Sequence, residues 1–450
     1  MAVTAFDPLR ASIGELGEAL RARRISIREL ADAHLERLGQ INPKINAFAL
    51  PDPDGARIAA AALDSELAAG KPRSVMHGIP ITIKELFATR GQRTAAGSLI
   101  LRDRVTDHDA EVVANLRAAG AVILGKTSMD EFAFSPTGLN AHYGPVRNPW
   151  DTSRITGGSS SGAAAALAAG VGSAALGSDT GGSVRLPASL CGVVGFKPSY
   201  DRLSRRGAFP LSWSLDHPGL FGRSVTDVSA AFDCAASAEN RLGELHHPPA
   251  RELRCGVIED YCAGVDSEVG ARWDEFIRAL SGAGVRVSPV APKTLKLVAA
   301  VSTAIMFGEG GAVHRQWLAT RREDYGRPIR MRLLQGALIP AATYLRALQL
   351  RRTIAEEFAA LFENLDCLIC PTNTTVAQPI DSVDAQTGGR VIRNTRLAPL
   401  LGIPGISLPI PTRGMPVGAQ LMGAVGGDAR LLAAAAVVEK IIGPAFAAPL

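Results

Sequence analysis

The spacing of apolar and polar residues divides the first half of the chain into alternating helical and extended segments. Ser12 and Ser26 each precede a glutamate by three positions, the capping-box pattern that opens a helix, and a third helical pattern covers 55–69. Short apolar runs and further helical patterns then alternate, the runs at 79–83, 121–124 and 192–196 and the helical patterns at 112–118 and 163–169. Strands that alternate with helices indicate an α/β architecture built in layers.

The second half of the chain contains a long helical stretch and then returns to short strands. Arg, Glu and Leu recur at helical spacing through 298–364. Later apolar runs predict strands at 367–370, 405–408 and 417–421, with a closing helix at 429–441. No linker, charge block or repeat of about 20–50 residues divides the chain. We therefore expect a single domain over 1–450, with a helical N-terminal segment (1–70), a catalytic core (75–200) and a helical insertion (298–364).

The composition fits a large folded domain and argues against a nucleic-acid surface. Of the 450 residues, 47% are hydrophobic and 20% are charged, which is ample material for a buried core. The net charge of +5 comes from basic residues scattered along the chain, and aromatic residues make up only 5%. A nucleic-acid surface needs a dense basic face with interleaved aromatic side chains. We therefore expect no nucleic-acid partner.

The six cysteines are too few and too scattered for a disulfide framework, which points to a reducing compartment. Cys367 and Cys370 have the C-x-x-C spacing, but they lie in an apolar run that ends at Pro371, with no second cysteine pair and no histidine nearby. We interpret them as core cysteines of a buried strand. Neither a signal peptide nor an uncharged apolar stretch of about 18 residues is evident, so we expect a cytoplasmic protein without a membrane span.

A lysine ends an apolar segment in a position that suits a base. Residues 77–85 are His-Gly-Ile-Pro-Ile-Thr-Ile-Lys-Glu, so Lys84 follows a strand-like apolar run. Burial disfavours the charged ammonium and lowers the pKa of a lysine, which can turn it into a base. The alternative is a lysine at a strand end whose ammonium reaches solvent.

Two segments rich in glycine and serine carry candidate nucleophiles. Residues 156–163 (Thr-Gly-Gly-Ser-Ser-Ser-Gly-Ala) precede an Ala-rich helix, and residues 177–185 (Gly-Ser-Asp-Thr-Gly-Gly-Ser-Val-Arg) place two glycines before Ser183. Such glycines free the backbone to aim several N–H groups at one point, as a tetrahedral oxyanion requires. The first segment alone also fits a serine-capped turn. A P-loop is disfavoured because its Lys-Ser/Thr ending is missing, and a nucleophile elbow because the residues before the G-x-S-x-G at 158–162 are polar.

A serine nucleophile needs a base, and a desolvated lysine is one that the chain offers. The eight histidines show no obvious triad context, whereas Lys84 has the apolar setting described above. Asp179 and Arg185 bracket Ser183 and are candidates to pair and hold the loop. The alternative for these two residues is an ordinary surface ion pair.

Several segments, in order along the chain, resemble the amidase signature family. The most specific are GGSSSGAAAALAAG, which begins at Gly157, and LGSDTGGSVRLPASLCGVVGFKPS, which begins at Leu176. GIPITIKE, RNPWD, SLDHPGLFGRSVTD, DCLICPT and GIPGISLPI…GMPVGAQLMG are also similar to family segments. The likeness covers nearly the whole chain, from about residue 10 to about residue 440. Agreement in several ordered segments is far more specific than any one motif.

The resemblance implies a fold and a set of catalytic residues. Family members have one mixed, twisted β-sheet covered by helices on both faces. Ser183 matches the nucleophile and Lys84 the base, and Ser159 matches the serine that bridges them and also contacts substrate. The Gly158–Ser159 peptide bond matches one that is cis in the family. The family's amide hydrolysis uses no metal and no organic cofactor, so we expect neither here.

The resemblance also implies where substrate binds. The loop 180–183 (Thr180, Gly181, Gly182 and Ser183) matches the oxyanion hole, with Asp179 and Arg185 as its support. Ala133 matches a substrate-binding position, and the segments 132–142 and 300–345 match parts of the family's pockets.

Four positions or pairs depart from the family pattern. Ser161 stands where many members have Gly, and Ala163 where many have Ser. Asp201 replaces a usual Gly, which affects a local turn. His217 and Pro218 stand where the glutamine-using amidotransferase subunit usually has Gln-Ile, which weakens the interpretation of this chain as such a subunit.

Three hypotheses of function follow. The first is a stand-alone amidase that acts on a small-molecule amide, with a homodimer as the assembly to test. The second is the glutaminase (A) subunit of a tRNA-dependent amidotransferase complex, which would use the same three residues to release ammonia. The third is a non-catalytic protein whose glycine-rich loops hold an anion. We favour the first from sequence alone.

Overall fold

One large mixed sheet runs through the chain, which the computed structural model describes over residues 6–450 apart from the side chain of residue 385. Two further pairs of short strands, β4 with β5 and β6 with β7, lie outside this sheet. The strands are β1 (Phe48–Pro51), β2 (Pro80–Lys84), β3 (Val122–Thr127), β4 (Leu139–Asn140), β5 (Gly144–Pro145), β6 (Arg147–Asn148), β7 (Asp151–Ile155), β8 (Ala174–Asp179), β9 (Val194–Lys197), β10 (His217–Gly222), β11 (Arg254–Ile258), β12 (Arg286–Val290), β13 (Cys367–Pro371), β14 (Gly405–Ile410) and β15 (Val417–Met422).

The sheet has eleven strands in the order β1-β3-β2-β8-β10-β9-β14-β15-β13-β11-β12. β2 pairs in parallel with β3 and β8, and β11 pairs in parallel with β12 and β13, whereas the other neighbours are antiparallel. The predicted mixed sheet in a single α/β domain is therefore confirmed. Parallel pairing brings the carboxyl ends of β3, β2 and β8 to one edge, where these strands end at Thr127, Lys84 and Asp179.

Four strands of this sheet, β2, β3, β8 and β14, are buried at every position along their length. Both faces of the sheet are therefore covered, as helices packed on either side would do. The capping boxes predicted at Ser12 and Ser26 are both present. The helices are α1 (Ile13–Arg21), α2 (Ile27–Ile45), α3 (Pro53–Ala68), α4 (Glu111–Ala118), α5 (Ser161–Ala168), α6 (Arg185–Cys191), α7 (Val225–Ala235), α8 (Glu259–Cys262), α9 (Ser267–Gly282), α10 (Val298–Val313), α11 (Arg315–Thr320), α12 (Arg327–Ala337), α13 (Ala341–Leu361), α14 (Ala385–Val391), α15 (Leu397–Leu401) and α16 (Asp428–Ile442).

The Ala-rich helix α5 lies inside the domain, with all eight residues buried. It packs against β2, β3 and β8 on one side and against α6 on another. Small side chains let the helix approach the sheet closely: a Cβ on Gly162 would lie 2.1 Å from the Ala47 carbonyl oxygen. The glycines and alanines of this segment therefore fix how deep the start of α5 sits in the fold.

The long helical stretch beyond residue 298 forms a layer of helices packed on one another. It contains α10, α11, α12 and α13, and α10 packs against both α12 and α13. The segment Leu295–Val313 has the length and apolar composition of a membrane-crossing helix, with a mean hydropathy of 1.3, yet it is part of this packed layer and 44% of that window is buried. Such a helix is weak evidence for a membrane.

Several strands of the sheet were not predicted from the sequence. β8 (Ala-Ala-Leu-Gly-Ser-Asp) and β10 (His-Pro-Gly-Leu-Phe-Gly) are rich in residues that strands ordinarily disfavour. β1 adds a strand to the predicted helical N-terminal segment, and β11 and β12 lie in a stretch without a clear pattern. The buried strand that carries Cys367 and Cys370 is confirmed, and both cysteines are fully buried.

Candidate active site

Lys84 lies at the end of β2 with its amine inside the protein. β2 is flanked by β3 and β8 in parallel, so the side chain leaves the strand between two buried neighbours and is 0% exposed. Its Nζ lies 2.8 Å from Ser159 Oγ, 2.9 Å from Ser160 Oγ and 2.9 Å from Ser178 Oγ. In the described chain its hydrogen-bond partners are hydroxyls alone, and none is a carboxylate.

Burial lowers the pKa of Lys84 to about 7, because the charged ammonium loses its hydration and gains no ion pair in return. The more distant carboxylates of Asp130, Asp179 and Asp216 oppose this shift. A substantial fraction of the amine is therefore neutral near neutral pH. The alternative, a lysine whose ammonium reaches solvent, is wrong.

The serine-rich turn 156–160 brings Ser159 and Ser160 to this amine. The Gly158–Ser159 peptide bond is cis, as the resemblance implied. Gly157 has a φ of 72°, and a Cβ there would lie 2.3 Å from Leu186 Cδ2, so only glycine fits this turn. Ser160 N–H donates to the Ser183 carbonyl oxygen at 3.2 Å, which ties the turn to the second serine segment. Between residues 6 and 450, no hydrogen bond joins the Ser159 and Ser183 hydroxyls directly. In structures without substrate, hydrogen bonds between catalytic groups are often long and tighten only when the substrate is bound.

The loop 180–183 follows β8 and ends where α6 begins. Gly182 has a φ of 132°, and a Cβ there would lie 2.0 Å from Thr395 Oγ1. Thr395 Oγ1 in turn donates to the Gly181 carbonyl oxygen at 2.7 Å. Among the described residues, the N–H groups of Gly181, Gly182 and Ser183 have no acceptor, while Ser183 itself is 6% exposed. Free N–H groups beside an accessible hydroxyl are what an oxyanion site requires.

A buried ion pair holds this loop. Arg185 Nε lies 3.0 Å from Asp179 Oδ2 and Arg185 Nη2 lies 2.9 Å from Asp179 Oδ1, with both side chains fully buried. Burial alone would raise the pKa of Asp179, but Arg185 outweighs it, so the pKa is lowered. The pair also reaches beyond the loop: Arg185 donates to the Thr395 carbonyl oxygen and to Gln420. The surface ion pair considered from sequence is wrong.

A small cavity of about 90 Å³ lies beside Ser178, one of the three serines in contact with Lys84. Ala133, the predicted substrate-binding residue, lines it together with Ser178 and Thr180. Asp216 lies in the same wall and accepts from Thr180 Oγ1 at 2.6 Å and from Leu211 N–H at 2.9 Å. Burial raises the pKa of Asp216 to about 6. The carboxylate form therefore anchors the start of the 180–183 loop above that pH.

Four residues of the site were not predicted from the sequence. Ser160 and Ser178 contact the Lys84 amine, Asp216 holds Thr180, and Asp130 packs against the cis peptide bond with its pKa raised by burial to about 7. Ser160, Ser178 and Asp216 lie in segments that resemble the family, but the sequence did not indicate that they contact Lys84 or Thr180. In the described part of the chain no three metal-ligating side chains are grouped together, and the absence of a metal or cofactor stays a prediction.

Comparison with known proteins identifies the class of protein that this fold and site define. A model of the amidase family matches residues 29–432. The chain belongs to the amidase family and is an enzyme that acts on amide C–N bonds. A solved structure described as amidase matches with a TM-score of 0.90 at 35% identity, over 96% of this chain and 100% of that one.

Two of the similar proteins are A subunits of glutamyl-tRNA(Gln) amidotransferases. The one from Azoarcus sp. (strain BH72) is 38% identical over 95% of this chain and 97% of its own length. The solved structure of the one from Thermotoga maritima has a TM-score of 0.80 at 30% identity, over 97% of this chain and 95% of that one. The expected partners, a small-molecule amide and a homodimer with no nucleic acid, are contradicted by these relatives, whose name specifies one component of an assembly that acts on a tRNA.

The buried ion pair gives the first prediction. Asp179→Asn leaves the Arg185 guanidinium buried without its counter-charge, so we expect the free energy of unfolding to fall by about 3–5 kcal/mol. The matched control is Asp201→Asn, which breaks the exposed pair with Arg205 and costs less than about 1 kcal/mol. Urea unfolding and the thermal midpoint measure both variants. Equal stability losses in the two variants would contradict the assignment.

Proposed function

We propose that this enzyme hydrolyses the carboxamide of glutamine through an acyl-enzyme on Ser183, as the glutaminase subunit of a tRNA-dependent amidotransferase. The observation that carries the catalytic part is the buried Lys84 amine, whose hydrogen-bond partners are hydroxyls. The two amidotransferase relatives, which match over nearly the full chain, support the proposed place in such an assembly.

The hydrogen bonds around Lys84 support an uncharged amine that accepts a proton from Ser159. Ser160 O–H donates to the Ser178 carbonyl oxygen at 3.1 Å, so the Ser160 hydroxyl can only accept from Lys84. A neutral amine has two N–H groups and one lone pair. With its N–H groups directed to Ser160 and Ser178, the lone pair faces the hydroxyl of Ser159. Lys84 then draws the Ser159 proton while Ser159 draws that of Ser183.

The reaction proceeds in two halves. Ser183 Oγ attacks the amide carbonyl carbon, and the oxyanion is held by the free N–H groups of the 180–183 loop. The proton on Lys84 returns through Ser159 to the leaving nitrogen, the C–N bond breaks and ammonia departs. Water then attacks the ester on Ser183 with the same groups as base, releasing the carboxylate and restoring the serine. Ala133 and Ser159 contact the substrate in this scheme.

This proposal reverses the order of hypotheses that the sequence favoured. His217 and Pro218, which differ from the usual Gln-Ile of such subunits, begin β10, and the buried His217 lines the small cavity. A second candidate, amide hydrolysis that needs no partner protein, is supported by the higher TM-score of the solved amidase, 0.90 against 0.80 for the Thermotoga protein. Measuring ammonia release from glutamine separates these two candidates. The assay is run with this protein alone and then with the other amidotransferase components and glutamyl-tRNA. Stimulation by these components supports the amidotransferase, and the absence of stimulation supports the partner-independent enzyme.

Two further expectations are kept as part of this proposal. Residues 75–200, which include Lys84, Ser159 and Ser183, form the catalytic core, and 298–364 is an insertion over it. The second expectation is that the protein works in the cytoplasm, in keeping with its six free cysteines. Two of them, Cys255 and Cys367, have their sulfurs 3.4 Å apart without a disulfide bond.

Removing the Ser183 hydroxyl tests the nucleophile. Ser183→Ala is expected to lower ammonia release by about 10⁴-fold or more, because the residues of such a relay act as a unit. Ser161→Ala is the matched control, since Ser161 is a buried serine at the start of α5 that makes only a 3.5 Å contact with the Ser128 carbonyl oxygen. A serine-directed covalent label detected by mass spectrometry should attach to the control and not to Ser183→Ala. Unchanged turnover in Ser183→Ala would remove this serine from the mechanism.

The pH dependence tests the base. With the pKa of Lys84 near 7, kcat/KM should rise with pH and level off above about 7, because only the neutral amine accepts a proton. Protonation of Asp216 below about 6 acts in the same direction, since it weakens the anchor of the 180–183 loop. Lys84→Arg, which stays protonated, should be inactive across this range, whereas Lys71→Arg on the exposed surface should keep the profile. Activity that is flat from pH 5 to 9 (about two units either side of neutral) would contradict a titrating base.

A further inference from the structure

Glu309 on α10 is a buried carboxylate that no step of the proposed reaction uses. Its side chain is 1% exposed, and it accepts three hydrogen bonds from the segment 211–216. Ser212 Oγ donates to Oε2 at 2.6 Å, Ser214 N–H donates to Oε2 at 3.1 Å, and Ser214 Oγ donates to Oε1 at 2.6 Å. A fourth bond comes from Tyr344 Oη on α13, 2.8 Å from Oε1. Each oxygen of the carboxylate therefore accepts two hydrogen bonds.

The segment that Glu309 holds is the one that supplies Asp216. Ser212 bonds to both carboxylates, because its N–H donates to Asp216 Oδ2 at 3.0 Å and its hydroxyl donates to Glu309. Thr180 Oγ1 in turn donates to Asp216 Oδ1 at 2.6 Å. An unbroken chain of hydrogen bonds thus leads from α10 to the start of the 180–183 loop.

The two carboxylates of this chain lie close enough for their charges to interact. Burial raises the pKa of Asp216 to about 6, and the negative charge of Glu309 adds to that rise. In the part of the chain that the structure describes, Glu309 forms no ion pair, and Arg351 on α13 donates to the Ser214 carbonyl oxygen at 3.3 Å instead. Neutral donors are therefore what compensates for burying the Glu309 charge. A buried polar network with its acceptors filled in this way holds its members rigidly.

The same helix also touches the 180–183 loop directly. Met306 lies three residues before Glu309, so the two side chains share one side of α10. A Cβ added to Gly181 would lie 3.1 Å from Met306 Cε. α10 therefore supports the loop at two successive residues, through Met306 at Gly181 and through the Glu309 chain at Thr180.

We propose that Glu309 is a positioning residue, which holds the segment 211–216 so that Asp216 fixes Thr180 and the 180–183 loop keeps its N–H groups on the oxyanion. The inference rests on the Ser183 acyl-enzyme of the proposed function and adds α10 to the parts that the reaction needs. Glu309 does not line the small cavity and touches no reacting atom. Preorganised N–H groups act mainly on the transition state, so their displacement lowers kcat more than it raises KM.

Glu309→Gln tests the position of the loop. The amide keeps the size of the side chain, but its NH₂ group accepts no hydrogen bond where a carboxylate oxygen accepted two. We expect kcat for ammonia release from glutamine to fall by about 10–100-fold, with KM changed by less than about 3-fold, because the oxyanion donors are displaced and not removed. The matched control is Glu357→Gln on α13, since Glu357 also accepts from a backbone N–H and a hydroxyl, those of Thr294, and should keep the wild-type kcat.

A double-mutant cycle shows whether Glu309 acts through Asp216. Asp216→Asn weakens the anchor of Thr180 by itself, so adding Glu309→Gln to it should lower kcat by less than about 3-fold more. A Glu309 that acts independently of Asp216 would give a double variant with the product of the two single effects. Ser212→Ala keeps both carboxylates and removes one hydroxyl between them. It should lower kcat by about 3–10-fold, and it tests the same chain if Glu309→Gln does not fold.

Labelling of Ser183 by a fluorophosphonate tests the positioning without an amide substrate. As Ser183 Oγ displaces fluoride, the phosphoryl oxygen occupies the place of the oxyanion, so the labelling rate depends on the same N–H groups. The rate should fall by about 10-fold or more in Glu309→Gln and by about 3-fold or more in Ser212→Ala, and it should stay at the wild-type value in Glu357→Gln.

The labelling result separates this inference from the proposed function. The expected rates together with no ammonia release from glutamine would leave the role of Glu309 standing and remove the proposed function. Equal labelling rates in the wild type, Glu309→Gln and Ser212→Ala would overturn the positioning role whatever the enzyme hydrolyses. Single effects that multiply in the Asp216→Asn background would overturn it as well.

Discussion

The proposed chemistry of this enzyme depends on one desolvated amine, that of Lys84, at the end of a central strand. Lys84 is surrounded by hydroxyls instead of carboxylates, and its burial lowers the pKa to about 7. A carboxylate in contact would stabilise the ammonium and remove the base. The carboxylates of Asp130, Asp179 and Asp216 act from further away, and Asp179 is already paired with Arg185. The fold thus keeps acidic groups close enough to limit the cost of burial, yet out of direct contact.

The architecture around Lys84 surrounds the amine with hydroxyl groups and keeps carboxylates out of contact with it. Parallel pairing of β2 with β3 and β8 places Lys84, Ser178 and the 180–183 loop at one edge of the sheet. Small residues let α5 approach closely enough to deliver Ser159 and Ser160 to the same amine. The buried Asp179–Arg185 pair then links this edge to Thr395 and Gln420, so the C-terminal strands also support the loop.

The sequence singled out Lys84 and Ser159, which the structure places in contact, but it missed several strands of the sheet, and its prediction of the partners was wrong. Ser159, Ser183 and Lys84 stand in short, unusual segments that resemble the family, so they could be named as candidates without a structure. β8 and β10 were missed because burial against neighbouring strands overrides the weak strand preference of Gly, Ala and Pro. Nothing in composition or spacing indicated a component of a larger assembly, since partner surfaces leave no fixed pattern.

Titration of the Lys84 amine by nuclear magnetic resonance tests the central claim most directly. Selectively labelled lysine, with the Lys84 signal assigned by its loss in Lys84→Met, reports the protonation of Nζ itself. This assignment is needed because burial also lowers the pKa values of Lys126 and Lys197 to about 7. The account predicts a midpoint near 7 for Lys84. A midpoint near the ordinary lysine value of about 10.4 would contradict it, because the amine would then be charged at every pH at which the enzyme works.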